Sequence, residues 1–225
     1  MLNRYTLLGI FTLLFTFFFI VATGSDAPHY VFYIGFPYAF ILFFHKKLEH
    51  RAERVAKPLF WYGFFVFFSG MLVEFFAYKT SIFLVAQGKN PVVFCPTSLS
   101  CDLLLFGIPH YALIVYGFIW VLRRYDFTVR KFGLAIFFFW AIAVDQGSHF
   151  LGLFVGGIPG ILGFIQAGLL LVFAFHGPYI IFEKRIREIL PERSTSKKKY
   201  LYMTLFQAAA ILLVFAIAVV KHVIS

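Results

Sequence analysis

Charged residues are scarce in this chain: they make up 13% of its 225 residues, whereas about 25% is usual for a soluble domain. Hydrophobic residues make up 61% and aromatic residues 22%, with 34 phenylalanines. The mean hydropathy is +0.87. This balance excludes an ordinary soluble globular protein. The apolar residues fall in runs about as long as the roughly 20 helical residues that cross a bilayer, which predicts a multi-pass membrane protein.

The chain also lacks the short motifs of several enzyme classes. It contains no Gly-rich phosphate loop, no nucleophile elbow and no HExxH sequence. We therefore expect neither ATP-driven transport nor serine hydrolysis. No internal repeat at a fixed period is present, so we treat residues 1–225 as a single domain.

Apolar runs bounded by charged or turn residues predict seven transmembrane helices in an all-α bundle. We place them at residues 6–23, 30–45, 59–78, 102–122, 132–152, 158–182 and 200–220. The first run could instead be a signal peptide, because the small residues Ala22, Thr23 and Gly24 follow it. Its length of about 17 apolar or weakly polar residues favours an uncleaved helix, since signal-peptide cores are usually about 7–15 residues long.

The net charge of +10 predicts the orientation of this bundle. Cytoplasmic loops carry the excess of lysine and arginine in membrane proteins. If the N-terminus is cytoplasmic, seventeen of the twenty basic residues fall on the cytoplasmic side and only Lys79, Lys89 and Lys221 fall outside. We therefore predict a protein of the plasma membrane with its N-terminus in the cytoplasm and its C-terminus outside. No basic stripe interleaved with exposed aromatics occurs in a soluble segment, so we expect no nucleic-acid partner.

Cys95 and Cys101 lie together in one polar loop, which this topology places outside the cell. An oxidising compartment allows a disulfide between them, closing a short ring. Two unpaired thiols remain the alternative, because sequence spacing does not establish the geometry of a disulfide. A metal site is disfavoured, because no third and fourth ligand flank the pair.

Ionisable residues inside the predicted helices carry the functional hypothesis, because such residues are costly in hydrocarbon. Asp145 and His149 are four residues apart and share one face of the fifth helix. His110 follows Pro109, which removes a helical hydrogen bond in the fourth helix. Glu74 lies near the outer interface if the third helix stops near residue 78, and near mid-membrane if it continues to about residue 87.

All four groups fall in the outer half of the predicted bundle. We take Glu74, His110, Asp145 and His149 as candidate catalytic residues, suited to acid/base chemistry or proton relay. A structural ion pair between helices is an equally good interpretation of Asp145 and His149. Two histidines and two carboxylates would also suit a divalent cation, but no paired-ligand motif supports one, so we predict no metal site. No cofactor is assigned.

Several motifs between residues 74 and 164 resemble those of a known family. They are a mid-helix acid, a Gly-x-Pro before a helix that ends in Trp, and an acid followed by Gly-x-Pro and Gly-Phe: Glu74, Gly107, Pro109, Trp120, Asp145, Gly157, Pro159, Gly163 and Phe164. This stretch resembles the carotenoid hydratase group, small polytopic membrane enzymes of carotenoid biosynthesis. It is equally similar to uncharacterised small bacterial membrane proteins with a Glu in one helix and an acid-Gln-Gly in another, here Glu74 and Asp145-Gln146-Gly147.

Three functions are compatible with these residues. The first is an intramembrane enzyme that acts on an apolar lipid or isoprenoid, with Glu74 or Asp145 as the acid and a histidine that tunes it. The second is a non-catalytic scaffold or assembly protein, whose buried polar groups only hold helices together. The third is a small proton-coupled transporter, although no inverted repeat is detectable. The expected partners are membrane lipids, an apolar ligand and, in a homo-oligomer, further copies of the chain.

Overall fold

A computed structural model of the protein describes residues 3–23, 30–86, 88, 95, 98–143, 154–155 and 157–224. Seven helices can be delimited in these residues, and no strand is found among them. The helices are α1 Arg4–Thr23, α2 Tyr30–Ala52, α3 Pro58–Ala86, α4 Leu99–Arg124, α5 Val129–Ala143, α6, which begins with Gly157–Leu171 and ends with Gly177–Ile189, and α7 Lys198–Ile224. The predicted all-helical fold is confirmed for the described residues.

Fewer helices than predicted are by themselves long and apolar enough to cross a bilayer. In the described part of the chain three qualify, over Pro58–Ile82, Leu99–Arg124 and Lys198–Ile217. A shorter apolar stretch is found in α1 over Arg4–Phe18, and α2 ends in charged turns. The structure therefore supports a membrane protein with three candidate spans rather than a complete seven-span topology.

Two predicted helix ends are displaced from their observed positions. Helix α2 continues past residue 45 to Ala52, and α3 continues past residue 78 to Ala86. Lys79 does not end α3, because the apolar stem of a lysine can follow the helix surface while its charge points away. Its Nζ lies 5.7 Å from the centroid of the Phe75 ring. Of the two positions considered for Glu74, the longer helix supports the deeper one.

Helices α4 and α6 each contain a π-helical segment that ends two residues before a proline. The segments are Asp102–Gly107 and Val172–His176, followed by Pro109 and Pro178. A proline lacks the N–H group and clashes with the carbonyl four residues earlier. A π turn moves the hydrogen bonds to a spacing of five, as between the Ile108 N–H and the Leu103 carbonyl. At both prolines the helix is thus locally widened but continuous.

Aromatic side chains fill the centre of the bundle, where α3, α5 and α6 meet. Tyr62, Phe132 and Tyr179 are fully buried there. The ring centroids of Phe132 and Tyr179 are 4.4 Å apart, and those of Tyr62 and Tyr179 are 6.1 Å apart. Helix α1 packs along α2, α3 along α4, and α7 along α4, so that α4 is held between two neighbours.

His176 joins three helices in this core. Its Nδ1 lies 2.9 Å from the Tyr38 hydroxyl of α2, and its Nε2 lies 2.8 Å from the Val129 carbonyl of α5. A carbonyl only accepts, so Nε2 carries the proton and Nδ1 accepts the hydrogen bond from Tyr38. Both ring nitrogens are satisfied within the protein, which fits a structural role.

Most of the basic residues gather at one end of the bundle, here called the basic end, where α2, α4 and α6 finish. Asp126 organises this end by binding Arg187 at 3.3 Å and Arg193 at 2.9 Å. The Arg193 side chain is only 2% exposed and also donates to the carbonyls of Leu122 and Leu190. These contacts hold the connection between α6 and α7 against the end of α4.

A second ion pair ties the connection after α2 to α6. The Glu53 carboxylate binds the Lys184 ammonium, and the Arg185 side chain donates to the Val55 carbonyl. The neighbouring Lys184 holds the pKa of Glu53 below its usual range. Because the Glu53 and Lys184 side chains remain partly solvent-accessible, this pair contributes only a small part of the stability.

Candidate functional site

The two candidate residues of the fifth helix, Asp145 and His149, lie outside the described residues. Their shared helical face therefore stays a prediction. Of the other two candidates, Glu74 lies on α3 and His110 on α4, two helices that pack side by side.

Glu74 belongs to a polar cluster with two residues that the sequence analysis did not select, Asp102 and Tyr111. The Tyr111 hydroxyl donates a hydrogen bond to Glu74 Oε2 at 3.4 Å. The Asp102 carboxyl lies within hydrogen-bonding and electrostatic reach of the Glu74 carboxyl. We call these three residues the acidic cluster. It joins the middle of α3 to the start of α4.

Asp102 is the most enclosed member of the acidic cluster, with no solvent exposure. Its Oδ1 accepts a hydrogen bond from the Cys95 N–H at 3.2 Å. Its Oδ2 is buried and accepts no hydrogen bond from the N–H and O–H groups of the described residues. The approach of the Glu74 carboxyl therefore offers Asp102 one way to satisfy this oxygen, namely a proton held between the two carboxyls.

The proximity of Glu74 and Asp102 allows the two carboxyls to share a proton. Two carboxylates in one enclosed site repel each other when both are ionised, so one proton between them replaces repulsion by a hydrogen bond. The pair then contains both a proton donor and a proton acceptor. This combination is the minimum requirement for general acid/base chemistry at one site.

Gly70 allows Tyr111 to approach α3 closely enough to reach Glu74. A Cβ atom added at Gly70 would lie 2.4 Å from Tyr111 Cδ1, closer than side chains pack. Gly70 and Glu74 are one helical turn apart, so the ring lies over Gly70 while the hydroxyl reaches the next turn. The absence of a side chain at Gly70 is thus part of the site.

His110 is next to Tyr111 in the chain but is directed towards another helix. Its ring stands nearly perpendicular to the Tyr111 ring, with centroids 5.1 Å apart, and it hydrogen-bonds the backbone of Ala210 on α7. The structure thus places His110 beside the acidic cluster and links it to α7.

A disulfide closes the loop immediately before Asp102. The Cys95–Cys101 sulfur atoms are 2.08 Å apart, and the Cα atoms are 5.9 Å apart. The Ser98 side chain accepts a hydrogen bond from the Cys101 N–H at 3.2 Å, which caps the start of α4. The end of the bundle that contains this ring is called the disulfide end. The ring holds the Cys95 N–H in position to bind Asp102.

Asp102 and Tyr111 carried weak signals in the sequence. Asp102 directly follows Cys101 and marks the predicted start of a helix, where an acidic residue is ordinary. Tyr111 is one of 12 tyrosines and follows the more conspicuous His110. Within the residues that the structure describes, no group of three or more potential metal ligands occurs. No protein-family model matches the chain, and neither does any curated protein or any solved structure.

Proposed function

We propose that this protein is a multi-pass enzyme of the plasma membrane that performs acid/base chemistry on an apolar lipid or isoprenoid. The observation that supports the proposal is the pairing of Glu74 with the fully buried Asp102 beside the Tyr111 hydroxyl. The excess of basic residues at one end of the bundle supports the orientation in which that end is cytoplasmic and the acidic cluster lies in the outer half. Asp145 and His149 remain candidates for the same site.

The proposed reaction uses the two carboxyls in alternate protonation states. The protonated carboxyl gives its proton to one carbon of a carbon–carbon double bond, leaving a carbocation at the other carbon. The ionised carboxyl then removes a proton from a neighbouring carbon, which shifts the double bond. Alternatively, it removes a proton from a water molecule that adds to the cation, which forms an alcohol. In both cases the protons balance, and the hydrogen bond from Tyr111 stabilises the charge left on Glu74.

One observation favours a purely structural role for the same residues. Asp102 binds the Cys95 N–H, so its carboxyl also fastens the disulfide loop to the start of α4. In this second interpretation the acidic cluster joins α3 to α4 in a scaffold protein. Proton-coupled transport would use the same groups as a relay.

The test compares Glu74→Gln, Asp102→Asn and Tyr111→Phe with wild type and with Glu188→Gln. The last variant makes the same carboxyl-to-amide change at an exposed ion pair of the basic end. Lipids and isoprenoids of the producing cells are measured by mass spectrometry, and thermal unfolding of each purified variant is measured in mild detergent.

If the protein is an enzyme, we expect Glu74→Gln to change the amount of a specific lipid or isoprenoid in the cells. Glu188→Gln should leave that amount unchanged, and both variants should remain folded. An unaltered lipid profile together with lowered unfolding temperatures of the three cluster variants would overturn the proposal in favour of the scaffold. Loss of proton uptake into proteoliposomes, with an unaltered lipid profile, would instead support the transporter.

A further inference from the structure

A groove lies along the last turns of α4 at the basic end, at the opposite end of the bundle from the disulfide. It has a volume of about 360 Å³ and is lined by Tyr116, Ile119, Trp120, Arg123 and Arg124. These positions repeat at intervals of three and four residues, so they share one face of the helix. We call it the α4 groove.

Aromatic residues of α7 support the wall of the α4 groove. The Trp120 ring lies 5.0 Å from the Tyr202 ring and 5.4 Å from the Phe206 ring, measured between centroids. Tyr116 lies 5.9 Å from Phe206 and remains 59% exposed. The wall of the groove is therefore supported by both α4 and α7. The part of the groove beside Tyr116 is apolar and open.

Two arginines lie at the open side of the groove, and no carboxylate in the described part of the chain forms an ion pair with them. The Arg124 guanidinium stacks over the Trp120 ring, with Cζ 4.0 Å from its centroid. Arg123 is exposed beside it. Among the described residues, Arg187 and Arg193 at the same end form ion pairs with Asp126, whereas Arg123 and Arg124 form none. The groove thus concentrates positive charge that no carboxylate of the described residues pairs with.

The level of the groove along α4 matches the boundary of a bilayer. Leu99–Arg124 is long and apolar enough to cross a membrane, and Arg124 is its last residue. The two arginines therefore lie where lipid phosphates lie, while Tyr116 and Ile119 face the region of the acyl chains. Arginine binds phosphate oxygens through two parallel N–H groups, and a guanidinium stacked on an aromatic ring is already oriented to do so.

From these observations we propose that the α4 groove is a binding site for one anionic phospholipid. Its phosphate binds Arg123 and Arg124, and one acyl chain follows Tyr116 and Ile119 along α4. Basic pockets between helices at the cytoplasmic face bind anionic headgroups by this combination of charge and apolar contact. The α4 groove is independent of the acidic cluster, because the two share no residue.

The test measures lipid retention by native mass spectrometry of the whole protein, after incubation with phosphatidylcholine vesicles that contain phosphatidylglycerol. The double variant Arg123→Gln/Arg124→Gln is compared with Lys46→Gln/Lys47→Gln. The control removes two adjacent exposed cations from α2 at the same end, so both proteins lose the same charge. Thermal unfolding in detergent verifies that each protein is folded.

If the α4 groove is the binding site, the wild-type protein and the lysine variant should each retain one phosphatidylglycerol molecule. Binding to the arginine variant should be about thirtyfold weaker, or about 2 kcal/mol, because both direct contacts with the lipid phosphate are lost. A Trp120→Leu variant keeps both charges and should weaken binding less. Equal loss from the arginine and lysine variants would overturn the proposal, since it would indicate general surface attraction. Displacement of the lipid by millimolar inorganic phosphate alone would also overturn it, because the acyl chain would then contribute nothing.

Discussion

Replacement of Gly70 by alanine would place a methyl group where the Tyr111 ring now lies. The added Cβ would be 2.4 Å from Tyr111 Cδ1 and 2.6 Å from Cγ, whereas carbon atoms pack at about 3.5–4.0 Å. The ring must therefore retreat by about 1 Å. Its hydroxyl is already 3.4 Å from Glu74 Oε2, so the same retreat would break that hydrogen bond.

The expected loss of stability follows from two opposing effects. Tyr111 is only 4% exposed and packs against Phe175 at 6.1 Å between ring centroids, so the ring has little room to move. Forcing extra atoms into such a core costs about 1–3 kcal/mol. Alanine in place of glycine recovers about 1 kcal/mol of helix propensity. A net loss of about 1 kcal/mol lowers the unfolding temperature of a protein of this size by about 2–4 °C.

The assay is thermal unfolding in detergent of four proteins: wild type, Gly70→Ala, Tyr111→Ala and the double variant. Gly70→Ala should destabilise wild type but stabilise the Tyr111→Ala protein, because the clash is gone and only the gain in helix propensity remains. Gly107→Ala is the control, since its Cβ would meet Glu74 Cγ at an ordinary 3.4 Å. If Gly70→Ala has the same effect with and without the Tyr111 ring, the inferred contact does not exist.

Three further changes test other parts of the bundle. Asp126→Asn removes the charge that faces the buried Arg193 and should lower the free energy of unfolding by about 1–3 kcal/mol, which denaturant titration in detergent would measure. Tyr38→Phe leaves Nδ1 of His176 without its donor and should cost about 1–3 kcal/mol in the same titration, and an unchanged midpoint would contradict a stabilising hydrogen bond between the two side chains. Glu53→Gln tests pH dependence: the lowered pKa of Glu53 means that its ion pair stabilises the protein above pH 4.5 and is lost as the pH falls through the lowered pKa. The unfolding temperature of wild type should therefore fall more steeply below pH 4.5 than that of this variant.

Glu74 illustrates which features of the candidate site were predictable from the sequence and which were not. An acid in an apolar run was identifiable as costly and therefore as a candidate, and its helix was expected. Two ends were open for that helix on sequence grounds, near residue 78 and near residue 87, and the helix continues to Ala86. The partners of Glu74 were not identifiable, because Asp102 is 28 positions away and no local periodicity connects the two.

At the basic end, too, only part of the arrangement was predictable from the sequence. The excess of basic residues in certain loops could be counted directly from the sequence. Which of those residues form ion pairs depends on the packing of α4 against the connection between α6 and α7, and this packing selects Arg187 and Arg193 as partners of Asp126 and leaves Arg123 and Arg124 outside.

Composition and neighbours within a few helical turns were enough to predict the helical class, the apolar segments, the charge asymmetry and the short list of costly polar residues. The folded bundle was needed to show that Glu74 meets Asp102 and Tyr111, and that Arg123 and Arg124 border an open groove, because these arrangements depend on how closely two helices approach. Here a glycine at position 70 and a disulfide ring before Asp102 set that approach, and neither acts through sequence spacing.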